Sequence, residues 1–129
     1  MSEYQQVSAF EGPSAVARMV AGWEALDADA VAACFAEDGI WHNMPYAPVS
    51  GRDRIRAAVE RFLADMTSAE FRIRHHGEIS PGVFVNERWD VFQTHAGRTL
   101  EFAVMGIFEI ENGLIKVWRD YFDSALMNR

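Results

Sequence analysis

The order of residue patterns along the chain predicts an α+β fold. Apolar residues recur at helical spacing over about the first half, in three separate stretches. From about Thr67 the period changes to two, as expected for strands that alternate between two faces. Asn112-Gly113, between two apolar runs, is a strong signal for a β-hairpin. Helices that come first and antiparallel strands that come last are typical of α+β domains.

The first half contains three predicted helices. The first opens at Pro13, and the second, a short one, starts after Asp27 or Asp29 and ends at Gly39. The third starts at about Arg52. Their apolar stripes are Val16, Met19, Val20, Trp23 and Leu26 in the first, Val31, Cys34 and Phe35 in the second, and Ile55, Val59, Phe62 and Leu63 in the third. Each stripe is expected to bury one side of its helix.

Five strands are expected after or between these helices. Ile40 to Asn43 forms a short strand, followed by a loop from Met44 to Gly51 that contains two prolines. The other four strands span about residues 69–79, 83–95, 98–111 and 114–123, and are separated by Pro81-Gly82, Ala96-Gly97 and Asn112-Gly113. Four strands joined by tight turns predict a meander.

Size and composition favour one domain over residues 1–129, with a loose arm at residues 1–11. The chain is 50% hydrophobic and 12% aromatic, which suffices to fill one core and to line a cavity.

A net charge of -7 repels phosphate backbones, so nucleic acid is not an expected partner. The polar N-terminus does not resemble a signal peptide, and no apolar run is long enough to cross a bilayer. We therefore expect a soluble, cytoplasmic protein without membrane attachment.

No metal ion or organic cofactor is expected from the motifs. His75 and His76 are neighbours on a strand and point to opposite faces, so they cannot chelate one ion together. The chain has no glycine-rich phosphate loop, dinucleotide-binding fingerprint or Gly-x-Ser-x-Gly elbow. Its one cysteine, Cys34, lies in an apolar stretch and is expected to be a small buried residue. These absences disfavour metal enzymes, nucleotide-dependent enzymes and nucleophile-elbow hydrolases.

Two strand segments carry the candidate chemistry. Side chains two apart on a strand share a face, so Arg88 lies with Asp90, and Trp118 lies with Asp120. Arg88 and Asp90 alone could be a solvated pair on an exposed face. Asp120, however, lies between Trp118 and Phe122, which indicates a buried carboxylate that needs a partner. If the two faces meet, Arg88 can bridge both carboxylates, and one can hold a proton while the other stays ionised.

Asn43 is a further candidate for the same site. On the strand that starts at Ile40 it shares a face with Trp41, and its amide could hold a water molecule for an ionised aspartate. The alternative is that Asn43 initiates the turn before Met44-Pro45, since asparagine is common in turns.

Three motifs resemble the limonene-1,2-epoxide hydrolase family. They are Trp41-His42-Asn43-Met44-Pro45, Asn86-Glu87-Arg88-Trp89-Asp90 and Trp118-Arg119-Asp120-Tyr121-Phe122-Asp123, in this order. The resemblance extends from the first helix to the last strand. It implies the fold of the nuclear-transport-factor-like, ketosteroid-isomerase-like superfamily. In that fold a curved mixed or antiparallel sheet wraps around three N-terminal helices and leaves a cone-shaped cavity.

The resemblance also implies an activity and the roles of four residues. Asp120 would be the base that takes a proton from water, and Asn43 would help to hold that water. Asp90 would be the acid that protonates the epoxide oxygen, and Arg88 would bridge the two aspartates. Water would add to a small hydrophobic epoxide in one concerted, cofactor-independent step and give a vicinal diol. The family further implies a homodimer formed through the outer face of the sheet.

Trp41 departs from the family, which has a water-holding tyrosine at this position. An indole can donate one hydrogen bond but cannot accept one. Two alternatives therefore stay open on the same fold, an isomerase or polyketide-cyclase-like enzyme and a non-catalytic small-molecule binding module. The set of two acids and one arginine favours hydrolysis, because an isomerase needs one base and an oxyanion donor. A binding module has no need to bury two acids, which is costly.

Strand parity predicts the wall of the pocket. The expected pocket residues are Trp41, Phe92, Phe102, Val104, Trp118 and Phe122. Leu100, Phe108 and Ile110 share the apolar face on which Phe102 and Val104 lie. For any one of these residues the alternative is ordinary core packing, because buried aromatic side chains mostly serve the core.

Overall fold

The computed structural model describes residues 14–125, so the arm expected at residues 1–11 lies outside the described residues. The described part contains three helices and six strands. They are α1 (Ser14–Glu24), α2 (Ala28–Ala33), β1 (Phe35–Asn43), β2 (Val49–Ser50), α3 (Arg52–Leu63), β3 (Met66–Ser80), β4 (Val83–Thr94), β5 (Thr99–Glu111) and β6 (Leu114–Tyr121). The predicted α+β class is confirmed. None of these three helices is long and apolar enough to cross a membrane.

The six strands form one curved, mixed sheet in the order β2-β1-β6-β5-β4-β3. β1 runs parallel to β6, and the other neighbouring strands are antiparallel. The parallel pair places Asn43 opposite Asp120 and Trp41 opposite Trp118, although these residues are distant in the sequence. The sheet thereby brings the first motif, on β1, beside the last motif, on β6.

The start of β1 differs from the sequence prediction. The predicted helix up to Gly39 is wrong, because α2 ends at Ala33 and β1 begins at Phe35 rather than at Ile40. Phe35 is buried against Trp118, with ring centres 6.2 Å apart, so this apolar residue at helical spacing belongs to a strand. A bulge between Phe35 and Ile40 interrupts the alternation of faces, which removes the period-two signal that strand prediction uses.

Two smaller boundaries also differ. β3 begins at Met66, before the expected start at residue 69, because Met66 already pairs with Thr94 of β4. The segment predicted as a loop contains the two-residue strand β2, whose Val49 pairs with Trp41. Both differences lie at strand ends or short edges, where local patterns are weakest.

Trp23 of α1 is the centre of an aromatic cluster between the helices and the sheet. Its ring centre lies 5.7–6.3 Å from five other aromatic rings. These belong to Trp41, Phe62, Phe71, Phe92 and Trp118. Offset and edge-to-face aromatic pairs stabilise a core beyond the area that they bury. The cluster anchors α1 and α3 on the concave face of the sheet, where the cavity lies.

Candidate active site

A cavity of about 80 Å³ lies between the concave face of the sheet and helices α1 and α3. Its polar lining consists of Asn43, Asp90 and Asp120. The apolar lining is formed by Trp23, Trp41, Phe62, Phe71, Phe92, Phe102, Val104, Trp118 and Phe122, which includes all six expected pocket residues. Phe108, predicted on the same face of β5, instead packs in the core on Trp118, with ring centres 5.5 Å apart.

Arg88 is the centre of the polar group and uses all five of its N–H bonds. Nε and Nη2 donate to Oδ1 and Oδ2 of Asp90 at 2.8 and 3.0 Å. Nη1 donates to Oδ1 of Asp120 and to Oδ1 of Asn86, both at 3.1 Å, and Nη2 also donates to Oδ2 of Asp120. The guanidinium therefore bridges two carboxylates on different strands, and Asn86 accepts the remaining N–H.

The three charged side chains of this group are buried. Only 1% of the Arg88 side chain is exposed, against 7% for Asp90 and 8% for Asp120. The interpretation of Arg88 and Asp90 as a solvated surface pair is therefore wrong. The guanidinium carbon lies 4.8 Å from the ring centre of Phe71 and 5.7 Å from that of Trp118, within the range of cation–π attraction. Two ionised carboxylates and one cation leave a net negative charge in an apolar site, which favours uptake of one proton.

Burial gives Asp90 a higher pKa than a surface aspartate has. It raises the pKa of Asp90 from the ordinary value of 3.8 to about 6, although the charge and hydrogen bonds of Arg88 act in the opposite direction. Burial alone would lower the pKa of Arg88, but the charges of Asp120 and Asp90 outweigh it and raise this pKa. The site thus combines a permanent cation with a carboxyl group that exchanges its proton close to neutral pH, which suits general acid catalysis.

Asp120 has a second hydrogen-bond donor besides Arg88. Nε1 of Trp118 donates to Oδ1 of Asp120 at 2.6 Å, within the same strand. The backbone oxygen of Asp120 accepts from the backbone nitrogen of Met44 at 2.9 Å, which continues the pairing of β1 and β6 beyond Asn43. Asp120 is therefore fixed at both its side chain and its backbone.

Asn43 belongs both to the cavity lining and to a turn. Its side chain is half-buried and lines the cavity with the two aspartates. Its backbone oxygen accepts from the backbone nitrogen of Tyr46 at 2.7 Å. Since Asn43 lies opposite Asp120 on the neighbouring strand, its amide can share a small polar ligand with that carboxylate.

Trp41 contributes an aromatic wall to the cavity. Its ring stacks on Trp118 with the centres 5.7 Å apart and the planes at 22°. Nε1 of Trp41 is buried and has no hydrogen-bond partner among residues 14–125. The neighbouring His42 and Tyr46 are not part of the cavity lining, and Nε2 of His42 lies 2.8 Å from the backbone oxygen of Tyr46.

Sequence reasoning missed several residues of the site. Trp23 and Phe62 were assigned only to the apolar stripes of helices, whose orientation towards a cavity no local pattern reveals. Glu24 follows Trp23 on α1 and is not part of the cavity lining, but after burial its charge contributes to the raised pKa of Asp90. Its carboxylate accepts the backbone N–H of Phe71 at 2.9 Å. The sequence did offer a reason to include Asn86 in the site. It shares a strand face with Arg88 and is the polar residue nearest to Arg88 on its N-terminal side.

Known protein families, curated proteins and solved structures agree with this fold. The sequence pattern of the SnoaL-like domain matches residues 16–118, from α1 to Trp118 on β6. The chain belongs to the SnoaL-like domain family. Among curated proteins, the epoxide hydrolase EphG of Mycobacterium tuberculosis (strain ATCC 25618 / H37Rv) is 31% identical over 97 residues, which is 75% of this SnoaL-like chain. The alignment spans 63% of that relative's length.

Solved structures share the fold of this SnoaL-like chain. An LEH-like epoxide hydrolase from Mycobacterium tuberculosis superimposes with a TM-score of 0.78 at 27% identity, over 90% of this chain and 85% of that chain. A protein of ketosteroid isomerase-like fold from Catenulispora acidiphila DSM 44928, in complex with trimethylamine, has a TM-score of 0.78 at 17% identity over 88% of each chain. The second likeness concerns the fold alone. The resemblance inferred from the three motifs is confirmed.

Within the described residues, no cluster of three or more His, Cys, Asp and Glu side chains could hold a metal ion.

Proposed function

We propose that this chain is a cofactor-independent epoxide hydrolase that adds water to a small apolar epoxide and gives a vicinal diol. The observation that carries the proposal is the guanidinium of Arg88, which bridges the buried carboxylates of Asp90 and Asp120 at the wall of an apolar cavity. Epoxide opening needs a proton for the ring oxygen and a base for the attacking water. Two carboxyl groups held on one cation can provide both.

Asp90 acts as the acid in this mechanism. Its raised pKa allows the carboxyl group to carry a proton at mildly acidic pH, and it lines the cavity where an epoxide oxygen can accept that proton. As the C–O bond of the epoxide breaks, the oxygen takes the proton of Asp90. Asp90 is left with a negative charge. The hydrogen bonds from Nε and Nη2 of Arg88 stabilise this charge.

Asp120 acts as the base on the opposite side of the epoxide. A water molecule held between Asp120 and Asn43 attacks the epoxide carbon and gives its proton to Asp120. Support comes from the register of β1 and β6, which sets Asn43 opposite Asp120, and from the N–H of Trp118, which keeps the carboxylate in place. After one turnover Asp120 holds one more proton and Asp90 one fewer. Proton exchange with solvent then resets the pair.

The size of the cavity points to small substrates. A cavity of about 150 Å³ is known to accommodate benzene, whereas this one measures about 80 Å³. An epoxide of a few carbon atoms therefore fits the arrangement described here, and a cyclic terpene epoxide requires a side chain of the wall to move. Phe62 and Phe122 are the apolar lining residues that remain partly exposed, so they have the most freedom to do so.

The test uses isotopically labelled water in a single-turnover experiment with a panel that runs from propylene oxide to cyclohexene oxide and limonene oxide. The proposal expects a diol that carries the solvent label from the first turnover, because no covalent enzyme intermediate forms. Unlabelled diol in the first turnover would instead indicate attack by a carboxylate. Absence of diol from the whole panel would contradict the proposed activity.

An isomerase or polyketide-cyclase-like enzyme is the second candidate. The specific observation in its favour is Trp41, which places an indole where the resembling family has a water-holding hydroxyl. Such an enzyme would use Asp90 or Asp120 to move a proton bound to carbon. Exchange of substrate C–H for deuterium in heavy water, without diol formation, would support this candidate over hydrolysis.

We also propose that two copies associate through the outer face of the sheet. Met105 and Tyr121 are each 48% exposed there and lie beside the half-buried Trp89, around a hollow of about 250 Å³. Arg74 and Glu87 line the same hollow, so the face carries both signs of charge and can complement a second copy across a two-fold axis. Light scattering is expected to give twice the monomer mass, and Met105→Lys to lower it. A monomer at all concentrations would contradict the dimer.

A further inference from the structure

Gly106 lies at the middle of a row that crosses three strands. It is opposite Asn86 of β4 on one side and opposite Asp120 of β6 on the other. The side chains of Asn86 and Asp120 both point to the concave face, where Nη1 of Arg88 reaches both of their Oδ1 atoms at 3.1 Å. The guanidinium therefore lies directly over the backbone of Gly106.

The space above Gly106 is too small for any side chain while this bridge exists. A methyl carbon at Gly106 would lie 2.5 Å from Nη1 of Arg88, 2.7 Å from Oδ1 of Asp120 and 3.1 Å from Oδ1 of Asn86. Gly106 does not have a positive φ, unlike the turn glycines at 51, 82, 97 and 113, so its backbone conformation is open to other residues. The requirement for glycine is therefore one of space, and the atoms that need the space are those of the bridge.

Asn86 completes the same arrangement from the other side. It is 1% exposed, and its Nδ2 has no hydrogen-bond partner among residues 14–125. A buried amide with an unused N–H group is costly, so its favourable contribution comes from Oδ1, which accepts from Arg88. Since the two aspartates take four of the five N–H bonds, Asn86 accepts the one that would otherwise be buried without a partner.

We propose that Gly106 and Asn86 are positioning residues that hold the guanidinium of Arg88 between Asp90 and Asp120. Gly106 leaves the space in which Nη1 crosses from β4 to β6, and Asn86 fixes the rotation of the guanidinium plane through its fifth hydrogen bond. Neither residue lines the cavity, so neither touches the substrate. For catalysis this inference rests on the proposed function, but the geometry that it concerns can be measured without turnover.

The first experiment compares Gly106→Ala with Gly77→Ala. Gly77 is also a strand glycine without positive φ, and a methyl carbon there meets no atom within 4 Å, so the same substitution serves as a matched control. Titration of the Asp90 carboxyl carbon by NMR is expected to move to higher pH in Gly106→Ala, because a displaced cation favours the ionised carboxylate less. Gly77→Ala is expected to titrate like the unchanged protein.

Activity gives the second readout of the same variants. For an epoxide that the unchanged protein hydrolyses, Gly106→Ala is expected to lower kcat by about 100-fold, as a misplacement of about 1 Å can do, with KM nearly unchanged. Gly77→Ala is expected to stay within about twofold. If the unchanged protein hydrolyses no epoxide, the proposed function fails, but the NMR titration still decides the positioning roles.

Asn86→Leu keeps the inference testable if Gly106→Ala does not fold. Leucine has as many non-hydrogen side-chain atoms as asparagine but lacks the acceptor, so no non-hydrogen atom is added to the crowded row. The carboxyl titration is expected to move in the same direction as in Gly106→Ala, by a smaller amount. A folded Gly106→Ala or Asn86→Leu variant in which Asp90 titrates as in the unchanged protein would overturn the proposal.

Discussion

Two sets of opposite charges on the last three strands lie on different faces of the sheet. On the concave face Arg88 bridges Asp90 and Asp120, with 1–8% of each side chain exposed. On the convex face Arg119 lies 2.8 Å from Glu109, with 27% and 43% of their side chains exposed. Arg119 is the neighbour of Asp120 in the sequence. A shift of one position along a strand thus separates a candidate catalytic group from an ordinary surface ion pair.

Burial explains why the two sets differ in chemistry. A surface ion pair is screened by water and usually contributes less than about 1 kcal/mol. A buried pair lies in a medium of low dielectric constant, so its charges interact strongly and each depends on the others. On the concave face burial raises the pKa of Asp90 above that of a free aspartate, although the charge of Arg88 acts in the opposite direction. The comparison therefore predicts large effects for changes on the concave face and small ones for matched changes on the convex face.

The largest effect is expected from the carboxylates themselves. Asp90→Asn and Asp120→Asn remove the acid and the base but keep the shape of the side chains, so each is expected to lower kcat by about 100-fold to 10,000-fold. Glu109→Gln is the matched change on the convex face and is expected to leave kcat unchanged. Diol formation by each folded variant measures this. Equal losses in all three variants would show that the two faces do not differ in function.

The next effect concerns stability. Arg88→Met removes the cation from between two buried carboxylates and is expected to lower the free energy of unfolding by about 3–5 kcal/mol. Arg119→Met on the convex face is expected to lower it by less than about 1 kcal/mol, because both partners are partly exposed. Urea denaturation of the three proteins at one pH gives the values. Similar losses for both variants would contradict the contrast between the faces.

The strand patterns allowed much of this comparison to be predicted from the sequence. The expected strands 83–95 and 114–123 agree with β4 and β6, and the alternation of faces correctly grouped Arg88 with Asp90 and Trp118 with Asp120. This works because a strand has a period of two regardless of its neighbours. The tight turns predicted the meander of the last four strands. The family resemblance then implied that Asn43, Asp90 and Asp120 act in one site, which a local pattern does not contain.

The remaining features depend on contacts between distant parts of the chain. The bulge after Phe35 was unpredictable because it depends on pairing with β6. Trp23 reaches the cavity only because α1 packs across the sheet. In the sequence, Gly106 is only a glycine that weakens an apolar strand. Its role depends on Asn86 and Asp120, which lie opposite it on the two neighbouring strands. Each of these features follows from which elements become neighbours, which spacing along the sequence does not specify.

The pH dependence of stability sharpens the comparison further. Because burial raises the pKa of Asp90 from 3.8 to about 6, the folded chain binds this proton more tightly than the unfolded chain. The stabilising contribution of the protonated group is complete below about pH 4 and is lost as the pH rises to about 6. The difference in unfolding free energy between the unchanged protein and Asp90→Asn should therefore fall across this range. A difference that rises with pH would mean that the pKa of Asp90 is lowered.

The smallest effect on activity among changes on the concave face is expected at Trp41, which lines the cavity with an uncharged ring. Trp41→Tyr makes the side chain smaller and introduces a hydroxyl group that can both donate and accept a hydrogen bond. The ratio of kcat/KM for cyclohexene oxide to that for propylene oxide should rise by about tenfold, the lower end of what a small change in an apolar pocket produces. His42→Gln is the matched change at the next residue, which is not part of the cavity lining, and it should leave this ratio unchanged. If Trp41→Tyr also leaves the ratio unchanged, the indole does not limit the size of the substrate, and the partly exposed Phe62 and Phe122 become the residues to vary.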